Sequence, residues 1–227
     1  MKEYLLHIET ATTNCSVAVS LAGELLYCKE SNAPDFRHSD YLHLFIETAL
    51  KEAGVAIQSL AGVGVSMGPG SYTGLRIGVS SAKGICYANS IPLIAVNSLE
   101  VLAQQAKVEQ GAYILPMIDA RRMEVFTMTL DEKHQVVQPT TAKIITPEWS
   151  EDLPKGKKVV IGSGAEKCKS ILQGDDFEYH TDIAVPSARD MVGLVTQKYK
   201  NKAWEDVAYF EPFYLKDFVV TPEKKKI

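Results

Sequence analysis

Gly62-Val63-Gly64-Val65-Ser66-Met67-Gly68-Pro69-Gly70-Ser71-Tyr72-Thr73-Gly74-Leu75-Arg76-Ile77-Gly78 is the most informative run in the chain. Its first six residues are small or apolar and predict a buried strand. Gly68-Pro69-Gly70 breaks that strand, and a helical pattern follows over residues 72–88. A strand that turns through glycines into a helix leaves unpaired N–H groups at the helix start, where the dipole favours an anion. The same glycines also permit a tight turn with no ligand at all. Spacing does not separate these readings. The run lacks a P-loop lysine and does not match GxGxxG in a βαβ unit.

Upstream, residues 4–8, 15–21 and 24–29 predict a three-strand meander with Ala22-Gly23 as a tight turn. The first link, Glu9-Thr10-Ala11-Thr12-Thr13-Asn14, is rich in short polar side chains that suit a turn. Tyr41, Leu42, Phe45, Ile46, Ala49, Leu50 and Ala53 recur at helical spacing, so a helix is expected over residues 39–53, capped by Ser39 and stopped at Gly54. Downstream, residues 92–96 predict a strand, and Ser98 is placed to cap a helix running through Ala106. The order β-β-β-α-β-α-β-α describes a mixed sheet with helices on its faces, as in a ribonuclease-H-like domain.

A second unit is expected from about Gln110-Gly111, giving domains at residues 1–108 and 109–227. Residues 113–118 and 124–130 predict strands around the polar turn Asp119-Ala120-Arg121-Arg122. Weaker strand signals fall at Val136 and Ile144-Ile145. Thr146-Pro147 predicts a short helix start, residues 159–162 a strand, Ser163-Gly164 a turn into a helix through Leu172, and Ser187 a cap for a helix over 188–200. No internal repeat is evident in the sequence.

The helix after the glycine turn carries Gly74, Gly78 and Ala82 four residues apart. Each interior glycine costs about 0.5–1 kcal/mol relative to alanine, so close approach of another backbone is the expected compensation. That backbone is either the chain's own sheet or a partner. On the second reading, Tyr41, Leu42, Phe45 and Ile46 join Gly74, Leu75, Gly78 and Ala82 in an intermolecular helix interface.

Composition narrows the function classes. The 227 residues are 46% apolar and 23% charged with a net charge of -4, so no global basic field attracts nucleic acid or anionic membrane. No run approaches the ~20 apolar residues of a membrane span. Cys15, Cys28, Cys86 and Cys168 form no CxxC pair, and a reducing cytoplasm is the expected compartment. Of the five histidines, His7 is expected in the core, and His38 and His43 on a solvated helix flank. None forms HxxxH, the spacing that aims two imidazoles at one metal. Ser66 and Ser71 lack a GxSxG context, and Cys86 reads as packing. Asp119 and Glu124 flank Arg121 and Arg122 and read as a salt-bridged turn. Lys224-Lys225-Lys226 reads as a solvated tail.

Several stretches together resemble the TsaB (YeaZ) family, accessory subunits in threonylcarbamoyladenosine modification of tRNA. They are Leu6-His7-Ile8-Glu9-Thr10-Ala11 with Cys15-Ser16-Val17-Ala18-Val19, His38-Ser39, the run from Gly68 to Gly78, Ala82-Lys83-Gly84, Ile118-Asp119-Ala120-Arg121-Arg122-Met123-Glu124-Val125-Phe126, and Pro212-Phe213-Tyr214-Leu215-Lys216. The resemblance implies an actin-like ATPase fold of two ribonuclease-H-like domains, each a mixed sheet flanked by helices. It implies a non-catalytic scaffold that pairs with a TsaD-like catalytic subunit through the two N-terminal helices. A TsaE-like ATPase joins the complex, tRNA is reached indirectly, and the chain homodimerises in isolation. It implies no cofactor in the isolated chain, with ATP or ADP at the subunit junction. Glu9, Thr10, Gly68, Gly70 and Ser71 are then vestigial phosphate loops. Where the family usually has Asp-Thr-Ser, this chain has Glu9-Thr10-Ala11. Lys216 replaces a frequent arginine, and Met123 a frequent glycine. The alternatives are an ATP-binding phosphotransferase of the same fold and a glycoprotease-type metallopeptidase.

Overall fold

The computed structural model describes residues 2–32 and 38–216. Its elements are β1 (Tyr4–Glu9), β2 (Asn14–Leu21), β3 (Glu24–Asn32), α1 (His38–Glu52), β4 (Leu60–Gly68), α2 (Tyr72–Asn89), β5 (Leu93–Asn97), α3 (Ser98–Ala103), β6 (Tyr113–Asp119), β7 (Glu124–Leu130), β8 (Val136–Ile144), β9 (Lys158–Ile161), α4 (Ala165–Cys168), β10 (Phe177–His180) and α5 (Val192–Lys200). The strands form two sheets, β3-β2-β1-β4-β5 and β10-β9-β6-β7-β8. In each, the first three strands pair antiparallel and the last two join in parallel. The two sheets therefore repeat one topology. Among the described residues no helix is long and apolar enough to cross a membrane.

Period-two alternation sorts each strand between two cores. On β1, Leu6 and Ile8 face the core under α1 and α2, while Leu5 faces the opposite layer with Ala188, Met191 and Val195. On β6, Ile114 and Ile118 face a core shared with α3, and Leu115 and Met117 face Trp149, Leu153 and Ala165. All four layers are closed, which is why the inner strands read as nearly continuous apolar runs.

Residues 188–200, expected in the second unit, pack on the first sheet instead. The cause lies in β4. A Cβ at Gly64 would overlap the Val195 side chain, so this glycine lets α5 sit directly on the strand. Helix α3 also bridges the two halves. Val101 joins the core behind the first sheet, and Leu99, Leu102 and Ala103 join the core of the second. Its cap is Asn97 rather than Ser98. The Asn97 side chain accepts from the Leu99 N–H at 2.9 Å and donates to Thr140 Oγ1 at 2.8 Å.

Candidate functional site

Helix α1 starts at His38, which is buried rather than solvated. Its Nε2 lies 2.8 Å from the Thr12 carbonyl and ties α1 to the β1–β2 turn. Burial holds its pKa below the ordinary value. From there Leu42, Phe45, Ile46, Ala49 and Leu50 lie on the first sheet. Each of the four larger side chains contributes about 1.5–3 kcal/mol when fully buried, so the chain's own core claims this face. Tyr41 and Leu44 remain exposed on the other side.

Helix α2 is capped by Ser71, whose side chain accepts from the Gly74 N–H at 3.3 Å. Gly74 and Gly78 face inward. A Cβ at Gly74 would overlap the Thr10 carbonyl, and one at Gly78 the Thr10 hydroxyl. Thr10 Oγ1 in turn donates to the Gly74 carbonyl at 2.8 Å. Leu75 and Ala82 are core residues as well. Of the eight side chains expected at a partner interface, only Tyr41 is exposed. Leu42, Phe45, Ile46, Gly74, Leu75, Gly78 and Ala82 are occupied by the chain itself.

The outer side of α2 has a second small-residue row, one helical turn apart: Ser80, Gly84 and Ala88, all exposed. Nothing lies within 4 Å of a Cβ built on Gly84. Tyr87 is exposed beside it, and Ser81 Oγ lies 3.4 Å from His43 Nε2 of α1, so the two helices present one face. Sequence spacing revealed a glycine stripe on α2 but not which stripe looks outward.

The residues expected as phosphate loops close on one another. The Ser71 N–H donates to the Ala11 carbonyl at 2.7 Å, and a Cβ at Gly70 would overlap that same carbonyl. A Cβ at Gly68 would meet the Phe213 carbonyl at 2.8 Å. Glu9 is fully buried. Its Oε1 accepts from the Ala11 N–H at 2.6 Å, and its Oε2 has no hydrogen-bond partner. Burial is the main cause pushing its pKa up to about 7, with the nearby Asp190 charge acting in the same direction. Glu9 is thus a packed carboxyl whose neutral form burial favours, rather than an open ligand for phosphate or magnesium. His7 is likewise buried, bonded to Ser20 Oγ at 2.8 Å, and burial lowers its pKa to about 3.

Across from α2, the β6–β7 turn is salt-bridged, but through lysines rather than its own arginines. Asp119 pairs with Lys167 at 2.5 Å, and Glu124 pairs with Lys216. Lys167 Nζ also donates to the Arg122 and Glu124 carbonyls at 2.9 and 2.6 Å. Arg121 and Arg122 take left-handed backbone angles, φ 66° and 52°. Arg121 then lines a cleft of about 270 Å³ with His38, Ser71, Thr73, Gly74 and Ile77. Among the described residues no group of three or more His, Cys, Asp or Glu is placed to hold a metal. Lys224, Lys225 and Lys226 lie outside the described residues.

Paired sheets of one topology with a cleft between them define an actin-like ATPase-type fold. A family profile described as "TsaD: tRNA N6-adenosine threonylcarbamoyltransferase" matches residues 35–221. The tRNA threonylcarbamoyladenosine biosynthesis protein TsaB of Haemophilus influenzae is 27% identical, covering 95% of this chain and 94% of its own length. TsaB of Escherichia coli is 28% identical, covering 95% of each. The solved structure of YeaZ from Pseudomonas aeruginosa superposes with a TM-score of 0.78 at 26% identity, covering 94% of this chain and 100% of its own. The chain belongs to this threonylcarbamoyltransferase-related family and, within it, to the TsaB (YeaZ) proteins.

Proposed function

We propose that the chain is an accessory subunit in tRNA threonylcarbamoyladenosine biosynthesis, docking a TsaD-like catalytic subunit through the outer faces of α1 and α2. The observation that carries this is Gly84. An exposed mid-helix glycine costs about 0.5–1 kcal/mol, and no neighbour within the chain requires it. A partner backbone drawn close along Ser80, Gly84 and Ala88 supplies the missing reason, with Tyr41, Leu44 and Tyr87 as apolar anchors. The mutual closure of the Thr10–Ala11 turn and the Gly68–Ser71 loop supports a non-catalytic role. On this reading a TsaE-like ATPase and an ATP or ADP at the subunit junction belong to the complex, and the complex rather than this chain alone engages tRNA. In isolation the same face pairs two copies.

The variant Gly84→Arg tests the reading, since its side chain meets nothing inside the chain. Its melting temperature should equal or slightly exceed the parent's, because arginine has the better helix propensity, while co-purification of the TsaD-like subunit from the native host should fall at least tenfold. Undiminished co-purification by a folded Gly84→Arg chain would falsify the docking face. Substitutions at Gly78 or Ala82 would test internal packing instead.

A further inference from the structure

After α5 the chain runs across both halves of the molecule, with one turn over residues 207–209 closed by the Phe210 N–H on the Asp206 carbonyl at 2.8 Å. The Glu205 N–H donates to the Leu93 carbonyl at 2.9 Å on the edge of β5. Val207 and Phe210 then pack on the core beneath α1 and α2. Lys83 of α2 grips the passing backbone, its Nζ donating to the Ala208 and Phe210 carbonyls at 3.2 and 2.9 Å. The Phe213 N–H donates to the Met67 carbonyl at 2.7 Å, and the Tyr214 ring lies 4.7 Å from that of Tyr72 at the start of α2. With the next residue the chain reaches the other half. Leu215 packs on the second sheet's core, and Lys216 pairs with Glu124 while donating to the Ala120 carbonyl.

The last two anchors flank the cleft. Tyr72 follows Ser71 on one wall, and Ala120 precedes Arg121 on the other. We propose that residues 205–216 are a staple that holds the β6–β7 turn against the N-terminus of α2 and so sets how far the cleft opens. The first-sheet end of the staple is secured by main-chain hydrogen bonds and two apolar plugs. The second-sheet end rests on Leu215 and an ion pair whose partners are 40% and 22% exposed. Pairs of that kind hold weakly and weaken further with salt. The staple therefore releases from its Lys216 end first, and the cleft widens without loss of either core.

Electron–electron distance measurements on the full chain test this. Spin labels at Glu47→Cys on α1 and Met123→Cys beside the turn, both exposed sites, are placed in a Cys28→Ser background. Unlabelled chain is added so that only intramolecular distances are read. The parent should give one narrow distance. Lys216→Met and Tyr214→Ala should each lengthen and broaden it, and ~1 M salt should move the parent the same way. Hydrogen exchange at the Phe213 amide should quicken about two- to fivefold in Lys216→Met. If Tyr214→Ala fails to fold, Lys216→Met decides alone. Distance distributions identical to the parent in a folded Lys216→Met chain, in low and high salt, would overturn the staple.

Discussion

The two sheets share a strand order, yet their crossovers differ greatly. Between β3 and β4 the first sheet carries α1, 15 residues long, and between β4 and β5 it carries α2, 18 residues long. At the matching places the second sheet has a six-residue 3-10 turn, Pro147–Asp152, and α4, four residues long. Those short segments still cover their sheet, with Trp149, Leu153, Ala165, Cys168 and Leu172 closing the layer. A sheet of this topology can thus be covered without long helices. The extra length of α1 and α2 goes into an outer surface that the fold itself leaves unused, and that surface holds Ser80, Gly84 and Ala88.

The strongest way to break this contrast is to compare inner and outer glycines of α2. Gly78→Ala forces a methyl into Thr10 and should lower unfolding free energy by about 3 kcal/mol. Gly84→Ala should raise it by about 0.5–1 kcal/mol, because only the helix propensity changes. Denaturant titration of the two variants measures both. Equal effects would mean that the two faces of α2 are not distinct.

The ends of β1 and β6 extend the comparison. Glu9 closes β1 buried, with its pKa raised by burial, whereas Asp119 closes β6 exposed and lysine-paired. Glu9 keeps its proton in the fold up to about pH 7, while an unfolded glutamate releases it near its ordinary value of 4.5. Between those values the fold binds more protons than the unfolded chain, so this group makes stability fall as pH rises through the window. Glu9→Gln removes that fall and should make the variant more stable than the parent at pH 8, by on the order of 3 kcal/mol, with no difference below pH 4. The measured quantity is variant minus parent. Subtraction cancels His7, whose lowered pKa gives the opposite slope as pH drops below 6.5. A pH-independent difference would show that Glu9 is charged in the fold. The smallest effect is expected at Asp119→Asn, at most about 1 kcal/mol, because Asp119 itself is exposed and Lys167 keeps two carbonyl partners.

Much of the first half was legible in the sequence, because its patterns are long and cleanly punctuated. Helix α2 begins at Tyr72 as expected and runs one residue past the expected end. Helix α1 lies one residue from its expected bounds at each end, and Gly54 takes the positive φ expected of a helix stop. The second half was harder to read. Strand β10 is four residues, none fully buried, with no alternation to detect. Strand β8 is one continuous strand, although Pro139 and a run of threonines interrupt its apolar pattern. The shared topology stayed hidden because crossovers of such different length leave no common period. At the candidate site, the small-residue spacing was visible, but its phase relative to the sheet was not. Thr10, sixty-odd residues upstream, and at Gly74 also the His38 ring, determine that Gly74 and Gly78 point inward. The burial of His38 has the same cause, since the Thr12 carbonyl it meets comes from a different turn.

The return of α5 to β4 has a consequence for biosynthesis. When the ribosome has delivered residues up to β5, the face bearing Leu5, Ala18, Ile94 and Val96 has no cover. Ala188, Met191 and Val195 are still about ninety residues from the exit tunnel. At ~5–20 residues per second that face stays bare for several seconds, a target for chaperones and for wrong partners. The first half of the gene therefore encodes a sheet whose second face is finished by residues from the far end of the described chain.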